Sequence, residues 1–460
     1  MNDEHRWLVR AIVLAQFGPA FMFSGVAVAL PKMGDELQLS ATTLGLVETT
    51  FLASSCAFLL PSGRLADAAS RGAIFRWMLL AFGVLSLLIG CVSNGSVVLV
   101  LRFVQGLTAA LCMTAGPAWI VDLVPVGRRG RVFGSMMGTA YAGLALGPLC
   151  AGHVVEALGW RSVFFVGGAL ILVVGIPALV HRTEPFRMPR RSLHLPSVAL
   201  LLLGLGAVVV SVSMLEVGWP AWPSLALAAA SLSCFVWWQP RLSAPLLDLR
   251  ELRCNGELRA ALLVQMLLYL NAYCSVFLLS LFLQVCGGLD ARGAGLWLAV
   301  GAVVMTCTSP FAGRLADRMQ PRRVAGLGVV FVLASSLVGL QLDARTEPYM
   351  VAVVLGLQGM GFGLFSSPNL ALIVGSLPRE RGGFASALAA QSRSIGMVTG
   401  MTVTSALIAV HFGDRPVKGD VDGVADTLRS AYQVLVSTSA LALLSVALSA
   451  ARRRSRPASS

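Results

Sequence analysis

Charge is scarce in this chain. Only 12% of its 460 residues are Asp, Glu, Lys or Arg, against 56% hydrophobic, whereas a soluble domain is nearer a quarter charged. The mean hydropathy is +0.78. So few polar groups cannot cover a surface in water, which leaves lipid as the solvent. Lysine is almost missing: of 35 basic residues only Lys32 and Lys418 are lysine. The arginines lie in short segments between apolar runs, so the net charge of +13 does not form the coherent basic face that nucleic acid requires. The nine cysteines form no CxxC pair and mostly lie inside apolar runs, as small buried hydrophobes do. HExxH, GxSxG and P-loop motifs are absent, and the five histidines are scattered. These absences argue against an enzyme, and no metal or cofactor is expected. No cleavable signal peptide is expected either: the first apolar run continues to Leu30-Pro31, too long for a signal core, and reads as the first span.

What is present is length of apolar sequence. A span needs about 20 apolar residues, and such runs fall near 8–31, 44–61, 74–93, 97–121, 132–156, 161–181, 197–217, 222–239, 259–286, 291–312, 323–341, 348–376, 382–411 and 429–450. They are too long for barrel strands, so they predict about fourteen helices in an all-α membrane protein. Arginine then orients them. One set of loops holds Arg64, Arg71 and Arg76; Arg128, Arg129 and Arg131; Arg182, Arg187, Arg190 and Arg191; Arg241 through Arg259; Arg314 through Arg323; Arg379 and Arg381. The alternate loops, at Asp35-Glu36, Asn94-Gly95 and Asp343-Ala344-Arg345, are poor in it. The positive-inside rule places both termini in the cytoplasm and requires an even span count. The loop at about 412–428 carries Asp414, Asp420, Asp422 and Asp426 and is expected on the opposite side.

The chain also repeats itself. Gly63-Arg64-Leu65-Ala66-Asp67 recurs as Gly313-Arg314-Leu315-Ala316-Asp317, an offset of 313 − 63 = 250 residues. Further on, adding 253 maps Gln105-Gly106 onto Gln358-Gly359, Pro125 onto Pro378, Arg128 onto Arg381, Gly143 onto Gly396 and Gly147 onto Gly400. Internal repeats in a membrane protein point to a transporter. The expected organisation is a six-helix bundle over 1–182, a linker and two-helix insert over 183–257, a second six-helix bundle over 258–450, and a basic cytoplasmic tail over 451–460.

Four further stretches carry chemistry. The loop Gly63 to Gly72 sets a close-approach glycine beside Arg64, Asp67 and Arg71, and Asp67 is placed to sit on a helix N-terminus, which favours an anion. Asp122 and Arg131 lie near enough to join this charge cluster. Leu101-Arg102-Phe103-Val104-Gln105-Gly106 puts an arginine within a span, where charge costs at least about 2.5–3.5 kcal/mol; it either meets a partner inside or snorkels to the interface. In span 5, Gly134, Gly143, Gly147-Pro148 and Gly152 follow G-x8-G-x3-G-P, which suits close helix packing and a bend. Gly159-Trp160-Arg161 opens span 6, and Gln391-Ser392-Arg393-Ser394-Ile395-Gly396 puts a second cation in span 13, as a buried charge or an interface anchor.

Together these motifs resemble the major facilitator superfamily, in particular its fourteen-span drug/proton antiporter branch, over nearly the whole chain. The resemblance implies that the Gly63–Asp67 loop, with Gly313 and Asp317 in the second copy, is a gating latch, that Arg102 takes part in proton coupling, and that the span-5 glycines mark an antiporter. Two departures stand out. Ala68 and Ser70 replace the usual Arg and Gly of the loop, and Met22 occupies the place of an Asp in the branch's D-x-T-I-V-N-V-A-L-P pattern, of which Ala27-Val28-Ala29-Leu30-Pro31 remains. The proton-carrying carboxylate must then lie elsewhere. Glu48, flanked by Leu46, Val47, Phe51 and Leu52, is the first candidate, its alternative being an interfacial residue. Gln105, Asn271, Tyr273, Gln358, Asn369 and Arg393 are candidates for the substrate cavity, though helix–helix hydrogen bonds explain the amides equally well. The expected function is proton-coupled export of small lipophilic molecules by a monomer in the inner membrane. A facilitator-type importer on the same fold is the alternative.

Overall fold

In lipid a backbone N–H or C=O must be paired within its own segment, which leaves the helix as the local solution for long apolar runs. The computed structural model describes residues 3–39, 41–180, 194–216, 222–242, 245–289, 291–412 and 421–454, and among these it contains helices and no strand. In chain order they are α1 (Asp3–Leu14), α2 (Phe17–Leu37), α3 (Ala41–Ala68), α4 (Arg71–Cys91), α5 (Gly95–Leu123), α6 (Arg129–Leu158), α7 (Arg161–Val180), α8 (Leu195–Glu216), α9 (Trp222–Trp238), α10 (Leu249–Cys254), α11 (Gly256–Val285), α12 (Ala291–Arg318), α13 (Pro321–Gly339), α14 (Pro348–Gly375), α15 (Gly382–Phe412) and α16 (Val421–Arg454). Among the described residues eleven helical stretches are long and apolar enough to cross a membrane. The apolar helices α7, α8 and α9 stand at the predicted sixth, seventh and eighth positions. The Arg-rich linker at 182–193, loop residues 413–420 with Asp414 and Asp420, and the tail from 455 lie outside the described residues.

Local chemistry sets the boundaries. The first predicted span is divided between α1 and α2, because Pro19 cannot donate to the carbonyl four residues earlier, and the chain turns at Ala15-Gln16. Ser70 caps α4, accepting from the Ala73 N–H at 3.3 Å. Asn94 caps α5, and Asn255 caps α11 through the Leu258 N–H at 3.0 Å. Such side chains accept the orphan donors of a first turn. Gly159 takes φ +80° between α6 and α7, a conformation open to glycine. This turn delivers Trp160 and Arg161 to Glu36, which accepts from the Trp160 indole at 2.9 Å and pairs with Arg161. The bond from Arg161 holds the Glu36 carboxyl below the usual range. Arg161 also donates to Ser93, so one GWR turn ties together three connections on this side of the chain.

The chain divides into two compact units. The first comprises Met1–Val126, Ala142–Cys254 and Leu377–Gln391; the second comprises Gly127–Tyr141, Asn255–Ser376 and Ser392–Ser460. Each unit thus includes the opening turns of one helix from the other half of the sequence: α15 in the first unit, α6 in the second. In the first unit α3 runs along α5 and α4 along α7, and the inserted pair α8–α9 joins through α8 against α3. In the second, α12 and α13 pack on α14, and α11 on α16.

Glycine sets how closely these helices approach, at positions related by the 253-residue offset. A methyl at Gly143 would lie 2.5 Å from the Phe17 carbonyl, and one at Gly396 2.3 Å from that of Met266. At Gly147 and Gly400 the nearest backbone contacts are the Phe21 carbonyl at 2.8 Å and the Leu270 carbonyl at 2.6 Å. The same face thus carries α6 on α2 and α15 on α11. Pro148 lies inside α6, and Gly152 meets nothing within 4 Å. Gly143→Ala is therefore expected to destabilise by about 1–3 kcal/mol through overpacking, while Gly152→Ala stays within about 0.5 kcal/mol. Tryptophan-monitored unfolding of the two purified variants tests this; equal losses would contradict the packing account.

Candidate functional site

Three polar constructions interrupt the apolar interior. The first is built by the loop between α3 and α4. Gly63 allows the end of α3 to meet α15: an added methyl would lie 2.7 Å from the Gly383 carbonyl. One turn later the Asp67 carboxylate accepts from the backbone N–H groups of Gly383 at 2.7 Å and Phe384 at 2.9 Å. It is seated on the N-terminus of α15, where unpaired donors and the helix dipole favour an anion. Arg71 is buried beside it. It donates to Asp67 at 2.8 Å, to both oxygens of Asp122 at 2.9 and 3.0 Å, and to the carbonyl of Arg379 at 2.8 Å. Arg64 lies over the Phe384 ring, 4.7 Å from its centroid. Asp122 therefore joins the cluster through Arg71, not through Arg131.

In the second unit Asp317 performs the same operation. Its carboxylate accepts from the Gly130 N–H at 2.8 Å and the Arg131 N–H at 2.9 Å, at the start of α6. Arg131 contributes its backbone, and its side chain is exposed. Gly313 and Gly134 supply the close approach, since a methyl on Gly134 would lie 2.9 Å from the Gly313 Cα. Gly130 and Gly383 are themselves 253 residues apart, so each repeat's carboxylate takes the same pair of donors from the other repeat's sequence. The offset was legible in the sequence, while the pairing of loop with helix start was not. Among the described residues an ion pair to the latch carboxylate is found in the first copy, from Arg71 to Asp67.

The third construction surrounds Arg102, which is 1% exposed. It does not snorkel. Its Nε donates to the Val47 carbonyl at 3.1 Å and Nη1 to Gln105 Oε1 at 2.9 Å. The guanidinium lies over Phe51 and Phe164, at 4.8 and 5.7 Å, a favourable setting for a desolvated cation. Gln105 passes the chain on, donating to Ser86 Oγ at 2.8 Å. Ser86 reaches the Phe82 carbonyl at 2.7 Å and Met22 Sδ at 3.3 Å. Glu48, half-buried, follows the residue whose carbonyl Arg102 holds, and the two charges interact without an ion pair within 4 Å. Buried Arg102 Nη2 has no hydrogen-bond partner among the described residues. Ser86 is the member that sequence reasoning missed, since a lone serine in an apolar run has no distinguishing pattern.

The proposed cavity residues separate into two groups. Gln105, Asn271, Gln358 and Asn369 are all at most 2% exposed and bond between helices. Asn271 donates to Ser336 and Ser439, each at 3.0 Å, and to the Leu435 carbonyl. Gln358 donates to Asn271 at 3.2 Å, and Asn369 to Gln265 at 3.1 Å. These contacts describe interhelical bonding, each amide being turned to a partner, and Asn369 also lines a small pocket with Glu257, Arg322 and Phe365. Tyr273 is half-buried against the core of the second unit. Arg393, also half-buried, has its guanidinium 6.0 Å from the Tyr269 ring.

The latch geometry makes a prediction. Asp67→Asn removes charge from buried Arg71 as well as from the α15 N–H groups, at about 1.5–3 kcal/mol per lost charge-assisted bond. Asp317→Asn affects backbone donors alone. Asp67→Asn should be the less stable variant and should exchange amide hydrogen faster at Gly383 and Phe384. Unchanged exchange there would contradict the assignment.

The family model described as Major Facilitator Superfamily matches residues 12–264 and again 261–460. The chain is similar to the multidrug resistance protein Stp of Mycobacterium tuberculosis, 27% identical over 84% of this chain and 72% of that protein. It is also similar to the puromycin resistance protein pur8 of Streptomyces alboniger, 29% identical over 96% and 91%. Among solved structures, the transporter FucP, crystallised in the outward conformation, superposes with a TM-score of 0.64 at 13% identity, over 96% of this chain and 99% of that one, a likeness of fold.

Proposed function

The chain belongs to the Major Facilitator Superfamily, and on that premise we propose that it exports small lipophilic molecules in exchange for protons. It is a carrier, not an enzyme. The observation that carries export is the similarity, over 84% and 96% of this chain, to proteins named for multidrug and puromycin resistance. The observation that supports proton coupling is the buried chain Arg102–Gln105–Ser86 with Glu48 at its edge. A carboxylate partly withdrawn from water beside a buried guanidinium has two charge states that different conformations stabilise differently. Substrate and proton then need only favour opposite states for one gradient to drive the other, by alternating access of the two repeats. The Arg-rich loops and both termini face the cytoplasm in this reading, and the protein works as a monomer in the inner membrane. Asp67 and Asp317, each on a helix N-terminus, hold one of the alternating states closed on the Arg-rich side.

Expression in an efflux-deficient bacterial host, screened against a panel of lipophilic antibiotics, tests export: resistance with lowered drug accumulation is expected, and raised accumulation would favour the importer reading. Glu48→Gln and Arg102→Gln should each lower proton-driven efflux by about 5–150-fold, the range of a coupling of about 1–3 kcal/mol. If Glu48→Gln transports normally with unchanged pH dependence, the carrier assignment falls.

A further inference from the structure

The inserted segment lies between the two repeats and belongs to neither, yet it reaches the first latch from two directions. At one end α8 lies against α3, the helix that carries Gly63 and Asp67. At the other, α10 grips the turn that leads into α15. Arg381 closes that turn, and its Nη1 donates to Asp248 Oδ2 and Glu251 Oε2, each at 3.2 Å. The same turn offers the Arg379 carbonyl to Arg71 at 2.8 Å. Gly383 and Phe384, whose N–H groups Asp67 holds, follow at once.

A hydrogen-bonded path joins the two ends. Gln239, just past the end of α9, is 0% exposed and uses both sides of its amide. Its Nε2 donates to Ser197 Oγ in the first turn of α8 at 3.2 Å, and its Oε1 accepts from the Leu247 N–H at 3.1 Å. Ser197 is itself hydrogen-bonded to His194 Nδ1 at 2.8 Å, and that imidazole stands edge-on to Trp238. Asp248 follows Leu247. Its Oδ1 caps α10 through the Glu251 N–H at 3.1 Å, which leaves Oδ2 for Arg381. The path thus runs Ser197, Gln239, Leu247, Asp248, Arg381. A buried amide with both groups paired is stiff, because opening it strands polar groups away from water. The pairs on Arg381 are half-buried, where water competes and each pair is weak. The brace is therefore rigid at its centre and releasable at its grip. Arg128, which the 253-residue offset relates to Arg381, is exposed, and no ion pair to it is found among the described residues.

We propose that the inserted segment, through Gln239, Asp248 and Glu251, is a brace that positions the start of α15 for Asp67 and so holds the first latch shut. This rests on reading Asp67 as a latch of an alternating-access carrier, and it adds the element that sets how readily that latch opens. Asp248 and Glu251 act on the latch through Arg381, as positioning residues. Drawing the start of α15 away from Asp67 requires the Arg381 pairs to break or α10 to move with it.

Amide exchange on the purified full chain tests this without transport. Asp248→Asn/Glu251→Gln keeps the cap of α10, since Asn caps as well as Asp, and removes both charges from Arg381. Exchange at Gly383 and Phe384 tracks the population of the opened latch. It should rise about two- to tenfold, the range of two weak pairs, while the interior of α14 stays unchanged. Arg381→Gln should give the same rise, and adding it to the double variant should raise exchange no further, as partners in one path require. Unchanged exchange at Gly383 and Phe384 overturns the proposal. So does an equal rise within α14, the mark of general loosening, or a triple variant whose rise is the product of the other two. The expected exchange pattern in a chain that confers no drug efflux would sink the exporter reading alone. Drug efflux with unchanged exchange in these variants would sink the brace alone.

Discussion

Lipid is the constraint from which the rest follows. A chain with 12% charged residues has no water at depth to absorb a stray polar group, so each charge within it must be housed by the protein itself. Arg71 shows how: two carboxylates and backbone carbonyls surround it, and it ties the start of α4 to the ends of α3 and α5 and to the turn before α15. Arg102 is housed differently, by an amide, a carbonyl and two aromatic faces. It has no fixed ion pair, and its Nη2 lacks a hydrogen-bond partner among the described residues, so in the proposed mechanism its coupling to Glu48 is free to change with conformation. A permanently paired arginine would be a strut; one held by neutral groups can respond to a proton.

The repeat explains why these charges occur where they do. Asp67 meets Gly383 and Asp317 meets Gly130, donors separated by the same offset that relates Pro125 to Pro378 and Arg128 to Arg381. The backbone part of the latch is duplicated, and the side-chain part is not. Arg102 has Leu355 as its equivalent, and Asp122 has Gly375. Glu48 lies within a span of the first repeat, whereas α13, α14 and α15 of the second contain no acidic residue.

Much of the fold was legible because its signals are long. Apolar runs mark where helices lie, and two copies of GRLAD mark the duplication; arginine alternation supplies only the expected direction. The places where legibility failed are short-range. No composition rule distinguishes a span-1 helix broken at Ala15-Gln16 from a continuous one, beyond the single Pro19. The amides Asn271, Gln358 and Asn369 read equally as cavity wall or interhelical bond, because a sequence gives their depth and not which face of the helix they occupy. Tyr141 and Ser366 could not be paired at all, being 225 residues apart and brought together through α12, on which Gly134 and Gly138 seat α6 and Gly359 and Gly363 seat α14. Asp122 was placed in the right cluster, but its bond to Arg71 was not legible for the same reason: sequence gives charges, and the helix crossing selects partners.

The central claim is that a charge buried in lipid couples a proton to a substrate. Purified protein in sealed vesicles, acidic inside and loaded with a pH-sensitive dye, measures it directly. When a substrate identified by efflux is added outside, the interior should become more alkaline only in vesicles that contain the protein, as protons leave in exchange for entering substrate. Substrate uptake at an undiminished rate with no movement of protons would contradict the account.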